Sequence, residues 1–170
     1  SRQAVKLLGT ALDVTDQKQT EQMLIEQQQL LEMIAAGQPL HECLVAVCAA
    51  IARLNSARAC FLLNEADQLT LSHIVTSDFP PSFGQELKQT IINDFYLEAW
   101  GEAVHRSEPI TCADIAHDDR ESRAWRDIYF AHGVLAYLAT PVLSRDGLPL
   151  GTLMLYFAEA RMPTEWEYQL

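Results

Sequence analysis

Residues 134–157, VLAYLATPVLSRDGLPLGTLMLYF, are two apolar runs, Val134 to Leu143 and Leu148 to Phe157, on either side of Ser144-Arg145-Asp146-Gly147. Asp-Gly between apolar runs is a strong hairpin signal, because glycine supplies the positive φ that a tight turn needs. Both runs are apolar at nearly every position. The pattern therefore predicts central strands covered on both faces, so the rest of the chain must supply a layer on each side.

Working upstream, Ser122 to Ala131 reads as a helix stopped by Gly133, and Ile110 to Cys112 as a short strand. The segment before it is irregular, with a helix from Gln85 to Asp94 and a mixed aromatic stretch from Phe95 to Trp100. Ala57 to Leu63 and Leu69 to Val75 form a second predicted hairpin around Asn64-Glu65-Ala66-Asp67-Gln68, ended by the turn-rich Ser77 to Gly84. Ahead of it, Leu40, Leu44, Val47, Cys48, Ile51 and Leu54 mark one face of a helix that starts at Pro39. Downstream of the last hairpin, Thr164-Glu165-Trp166-Glu167 is a capping box that opens a helix, and the sequence ends at Leu170.

At the other end, Gly9 to Leu30 reads GTALDVTDQKQTEQMLIEQQQL, predicting a short strand that ends in Asp13-Val14-Thr15 and a helix from Asp16 to Ala36. Met23, Leu24, Leu30, Leu31 and Ile34 make a narrow apolar stripe, and glutamines fill the other faces. A helix this polar is marginal alone, so the stripe predicts pairing with its twin in a homodimer.

The composition narrows the classes of function. The 170 residues suffice for one domain and a connecting helix. No apolar run reaches membrane-spanning length. A net charge of -11 with scattered Lys and Arg argues against nucleic-acid and anionic-membrane surfaces. Cys43, Cys48, Cys60 and Cys112 lack zinc-site spacing and read as buried thiols in a reducing cytoplasm. Asp114, His117, Asp118 and Asp119 could be taken for metal ligands, but they lack the glycine and terminal Glu of a calcium loop. They read as a solvated loop that caps the helix near Ser122, so no metal site is expected.

Several segments carry a family resemblance. These are Trp100-Gly101-Glu102-Ala103, Glu108-Pro109-Ile110, Ala113-Asp114-Ile115-Ala116, Ala131-His132-Gly133-Val134-Leu135-Ala136, Thr140-Pro141-Val142-Leu143, Leu150-Gly151-Thr152-Leu153-Met154-Leu155-Tyr156-Phe157 and Arg161-Met162-Pro163. In this order they resemble one subgroup of GAF domains, across roughly Gly37 to Leu170. The Gly9 to Leu30 stretch resembles the end of a PAS sensor domain running into a signalling helix. The domain plan expected is then a PAS tail at 1–15, a connecting helix at 16–36, a GAF-like domain at 37–163, and the start of an exit helix at 164–170. The fold implied is α+β: a five- or six-stranded antiparallel sheet, helices on one face, and an irregular segment over a pocket on the other.

The resemblance implies a non-catalytic sensory and relay module of a longer cytoplasmic signalling protein. A cyclic-di-GMP cyclase or phosphodiesterase is the first expected output, with a histidine kinase or a ligand-free dimerising spacer as alternatives. It also implies a small-molecule pocket, for which His73, Trp100, Cys112, Trp125, Tyr129, Tyr137 and Thr140 are the candidates. The chain has Tyr137-Leu138-Ala139 where the subgroup has Cys-Trp-Ser, and Ala99-Trp100-Gly101 where it has Ser-Cys-Gly, so the pocket is expected to be reshaped. Bilin attachment would need a Cys immediately before His132, and the chain has Ala131. A methionine sulfoxide reductase would need a second thiol close to Cys112. No covalent cofactor is therefore expected. His73, alternating with Leu69, Leu71 and Val75, is the residue that would serve haem.

Overall fold

A computed structural model of the chain describes residues 2–54, 56–64, 71–90 and 99–169, with side chains described from Lys18 onward, apart from residues 19, 90, 99 and 100. Strands β1 (Ala57–Asn64), β2 (Leu71–Thr76), β3 (Ile110–Cys112), β4 (Ala136–Leu143) and β5 (Pro149–Phe157) form one antiparallel sheet in the order β2-β1-β5-β4-β3. The apolar 134–157 segment supplies β4 and β5, and β5 is the central strand. Ser144 N–H donates to Leu148 O and Gly147 adopts φ 78°, closing the expected hairpin.

Alternation along the strands sorts the interior into two layers. Cys60, Leu62, Cys112, Tyr137, Ala139, Met154 and Tyr156 face one way, into a cluster with Phe83, Leu87, Trp125 and Tyr129. Ala57, Ala59, Phe61, Ala136, Leu138, Leu155 and Phe157 face the other way, with Cys48 and Ile51. Helix α2 (Leu40–Leu54) packs on this second face, and α1 (Arg2–Ala35) packs on α2. Helices α3 (Pro81–Thr90), α4 (Ala99–Arg106) and α5 (Arg123–Ala131) cover the first face. The α+β layout expected from the sequence is thus present, in its five-stranded form.

Two backbone features account for particular glycines. In β5, Gly151 crosses β1 so closely that a Cβ would lie 2.2 Å from Leu62 O and 2.9 Å from Leu63 Cα, and its φ is 156°. Any side chain here would force the two central strands apart. Helix α5 begins with Ser122 accepting from the Trp125 N–H and ends with Gly133 at φ 67°. There Gly133 N–H donates to Phe130 O and Val134 N–H to Tyr129 O, the paired bonds of a Schellman stop. This stop turns the chain straight into β4.

Several local expectations need correction. The predicted strand ending at Asp13-Val14-Thr15 is helical, because α1 runs unbroken from Arg2 to Ala35. A strand needs a partner for its N–H and C=O groups, and none pairs with this segment among the described residues; a helix satisfies them internally. Helix α3 starts earlier than Gln85, at Pro81, where proline suits the first helical turn. Residues 91–94, read as the end of that helix, lie outside the described residues, as does most of the 64–68 turn. Helix α4 occupies the end of the stretch read as irregular. The capping box forms, with Glu167 N–H donating to Thr164 Oγ1 and Thr164 N–H to Glu167 Oε2, and the turn it opens is a short 3-10 helix, Glu167–Gln169.

Candidate functional site

Four of the predicted pocket residues come together on the first face of the sheet. Cys112 in β3, Trp125 and Tyr129 in α5, and Tyr137 in β4 are each no more than 1% exposed. The Tyr129 ring lies 5.6 Å from Trp125 and 5.9 Å from Tyr137, centroid to centroid. Trp125 and Tyr129 are four apart on α5, so one face of the helix delivers both. Cys112 and Tyr137 are register partners across β3 and β4.

Two members of the same chamber were missed from the sequence. Tyr156 is the register partner of Tyr137 in β5, with its ring 5.5 Å from that of Tyr129. A hairpin centred on Ser144 to Gly147 would set Met154 opposite Tyr137; the irregularity at Val142/Leu143 shifts the register and brings Tyr156 there instead. The other is Glu121, only 2% exposed, whose Oε1 accepts the Tyr137 hydroxyl. Its neighbours Arg120 and Ser122 are exposed, so no local pattern marks Glu121 as an interior residue.

The chamber keeps its neutral acids protonated. Burial, followed by the Glu121 charge, pushes the Tyr137 phenol far above its ordinary range. Burial and the hydrogen bond with Asp118 push the Cys112 thiol up to about 12. Asp118 itself is held down at about 2 by Arg120, which grips its carboxylate and also donates to Thr111 O. A thiol so placed is a poor nucleophile at neutral pH.

The remaining candidates lie elsewhere. Thr140 is on the opposite face from Tyr137, since the two are an odd number of residues apart along β4. It lines a groove with Pro141 and Val142. His73 is exposed on the edge strand β2. A bulge at Leu63/Asn64 shifts the β1–β2 register and turns Leu71 to the chamber side, while Val75 packs on the helix side. The apolar face that His73 was expected to share is thereby split among the described residues, which build no enclosed haem site around it; Leu69 lies outside them. Trp100 is placed only as a backbone position in α4, its side chain lying outside the described residues. Asp114 caps the turn Ile115–His117 rather than the helix at Ser122, and also pairs with His117 Nδ1 at 2.7 Å. Among the described residues no cluster of His, Cys, Asp and Glu is arranged to hold a metal. Nor is any described helix long and apolar enough to cross a membrane.

On the helix side, a groove of about 410 Å³ runs between α1, α2 and the sheet, lined by Met23, Leu30, Val47, Ile51, Phe61 and Thr140 among others. The predicted stripe of α1 divides here. Met23 and Leu30 turn toward the groove, whereas Leu24, Leu31 and Ile34 are 59%, 65% and 62% exposed. Glu26, 6% exposed, accepts Arg53 Nε and Nη2 at 2.9 and 2.6 Å and so fastens α1 to α2. The Arg53 hydrogen bonds hold the Glu26 carboxyl below its usual range.

The sequence profile of the GAF domain matches residues 37–166. The chain belongs to the GAF family. The methyl sulfide methyltransferase-associated sensor of Methanosarcina acetivorans is 26% identical to it over 164 residues, which is 95% of this chain and 16% of that protein. The chain thus spans about one-sixth of the curated relative it matches. Among solved structures, the GAF domain of a phosphoenolpyruvate-protein phosphotransferase from Coxiella burnetii superposes with a TM-score of 0.63 at 20% identity, covering 88% of this chain and 85% of its own. A domain assigned to a two-component sensor histidine kinase from Sinorhizobium meliloti gives 0.59 at 19% identity, covering 78% and 82%. At these identities the structures speak for the fold alone. The family is one of sensor domains.

Proposed function

We propose that this GAF domain is a non-catalytic sensory and relay module. A ligand in the aromatic chamber, or a signal from an upstream PAS domain, biases the position of α1 in a cytoplasmic homodimer. The observation that carries the reading is the path from chamber to helix. Tyr137 faces the chamber and its neighbour Leu138 faces the helix layer. Helix α2 rests on that layer, and the Arg53–Glu26 pair joins α2 to α1. A ligand shifts such a device only if it binds the two arrangements unequally. The raised thiols at Cys48, Cys60 and Cys112 support a domain that does no thiol chemistry.

The motif order of the last seventy or so residues favours a cyclic-di-GMP cyclase or phosphodiesterase as the output, and the sensor kinase neighbour favours a histidine kinase as the second choice. A thermal-shift screen of cyclic nucleotides, purines and small organic ions tests the sensor reading. A ligand at a hundredfold excess over its dissociation constant stabilises by about 2.7 kcal/mol. A spacer that only dimerises would show no shift with any compound, and the complete burial of Trp125, Tyr129 and Tyr137 favours that second reading.

A further inference from the structure

Helix α1 stands off the sheet. It packs on α2 and, among the described residues, has no packed interface with a strand. The space beneath it is the groove of about 410 Å³. Met23 and Leu30 border this groove on α1, Val47 and Leu54 on α2, and Val142 and Leu153 on its floor. All of these but Leu153 are only half-buried, so the apolar walls remain partly wet. Each helix contributes residues seven apart, which makes the groove about 10 Å long at the rise of an α-helix. Gln169, in the turn that follows the capping box, also borders the groove.

These features discriminate between occupants. The volume falls in the range of small-molecule sites. A partner helix of the same length and about 10 Å across would fill about 800 Å³, about twice the space. To admit it, α1 would have to be prised from α2 against the bonds between Glu26 and Arg53. A charged ligand would lose its hydration for no counter-charge, because Glu26 is the charged residue among the described lining and Arg53 binds both its oxygens. A neutral apolar molecule completes the burial of the walls, and Gln27, Thr140 and Gln169 supply amide and hydroxyl groups for a polar end. We propose that this groove binds a neutral, apolar small molecule about 10 Å long, the size of a bicyclic aromatic or a medium-chain alkyl compound. The site lies on the opposite face of the sheet from the chamber, and the proposal does not depend on a ligand there. An occupant touches α1, α2, the sheet and the turn at Gln169 together, so it sets how α1 seats on the domain.

The test titrates the 170-residue chain with N-phenyl-1-naphthylamine, a neutral dye that brightens in apolar surroundings. Saturable binding of one dye per chain is expected, at least tenfold tighter than that of 8-anilinonaphthalene-1-sulfonate, which has the same ring skeleton and a negative charge. Val142→Trp, which brings a ring into the groove from its floor, should weaken binding at least tenfold, and Leu30→Gln should weaken it through the wall. On the unaltered chain, the dye should slow amide hydrogen exchange in residues 23–30 and 47–54. Absence of saturable binding, equal binding of the two dyes, or full affinity in whichever of the two variants folds overturns the proposal. Slowing confined to α5 and β3 places the dye in the chamber and overturns it as well. Leu24→Glu with Leu31→Glu, on the outer side of α1, should leave the affinity unchanged. A dye that binds only to that double variant would mean that a second copy covers the groove, and the small-molecule site is then rejected.

Discussion

The two faces of the sheet are built from alternate residues of the same strands, and they are chemically opposite. On the helix side, Ala57, Ala59 and Ala136 are interspersed with Leu138, Leu155 and Phe157. The small residues let α2 come close, and beside it a groove of about 410 Å³ stays open under α1. On the chamber side the same strands carry Cys112, Tyr137, Met154 and Tyr156, filled in by Trp125 and Tyr129 and fastened to the buried Glu121. One face carries helices fastened by an ion pair at its rim, and the other is an aromatic interior with a buried acidic side chain in it. Substitutions on the chamber side should therefore cost folding stability, whereas those on the outer side of α1 should cost assembly and little else.

The strongest test acts on the boundary between the two faces. Gly151→Ala puts a methyl group where Leu62 O and Leu63 Cα already are, so both layers must shift together. We expect a loss of more than about 5 kcal/mol, at the extreme of single substitutions, read as failure to give a cooperative urea transition. A loss below about 1 kcal/mol would mean that β1 and β5 can separate cheaply, and that the faces are not rigidly coupled. Next in size is Trp125→Ala. It removes a ring that is 1% exposed and should cost about 3–5 kcal/mol by denaturant titration. A cost near zero would mean that the chamber refills or is loosely packed, against the contrast drawn between the faces.

The chamber was partly legible in the sequence, for reasons that differ residue by residue. Trp125 and Tyr129 share a helix face by spacing alone, and Tyr137 stands in a strand whose apolar pattern is unbroken. Thr140 was grouped with Tyr137 although period-two alternation separates them. A strand apolar on both faces hides its parity unless each residue is counted. His73 was misjudged for a different cause, since the β-bulge that divides its neighbours depends on pairing with β1 and leaves no mark in β2 itself. Glu121 was invisible because an acid between an exposed Arg and an exposed Ser looks like loop. The approach of Tyr137 from sixteen residues away, which helps to make it interior, leaves no mark near it in the sequence. The helical continuation of α1 through residues 9–15 went the same way, since the β-like sequence there has no strand beside it.

A smaller effect is expected at the rim. Arg53→Met removes the cation that fastens α1 to α2, but Arg53 is 53% exposed, so solvent screens the pair and the cost should be about 1 kcal/mol at neutral pH. The pH dependence has a definite sign. The Glu26 carboxyl is held below its ordinary 4.5, so the unfolded chain takes up a proton there before the folded one does. The contribution of the pair is complete above pH 4.5 and is lost as pH falls through the lower folded value. The stability difference between the unaltered chain and Arg53→Met, measured by urea titration at neutral pH and in acid, should shrink on acidification. A difference that is constant with pH would remove the ion pair as the fastening.

The last test is expected to leave stability alone. Leu24 and Leu31 are 59% and 65% exposed, so replacing both with Glu should move the unfolding free energy by no more than about 0.5 kcal/mol per site. If the outer edge of α1 is the seam between two copies, the same change should turn a dimer into a monomer in multi-angle light scattering, because two like charges per chain would meet across the interface. The inner half of the original stripe, Met23 and Leu30, offers a control, since both residues line the groove of their own domain. Met23→Ala with Leu30→Ala should lower stability without changing the mass. A double Glu variant that remains dimeric would move the seam elsewhere, and α1 would then act on a partner through its glutamine faces or not at all. A reversed outcome, in which the groove pair changes mass and the outer pair does not, would mean that the helix rotates on α2 when two copies meet.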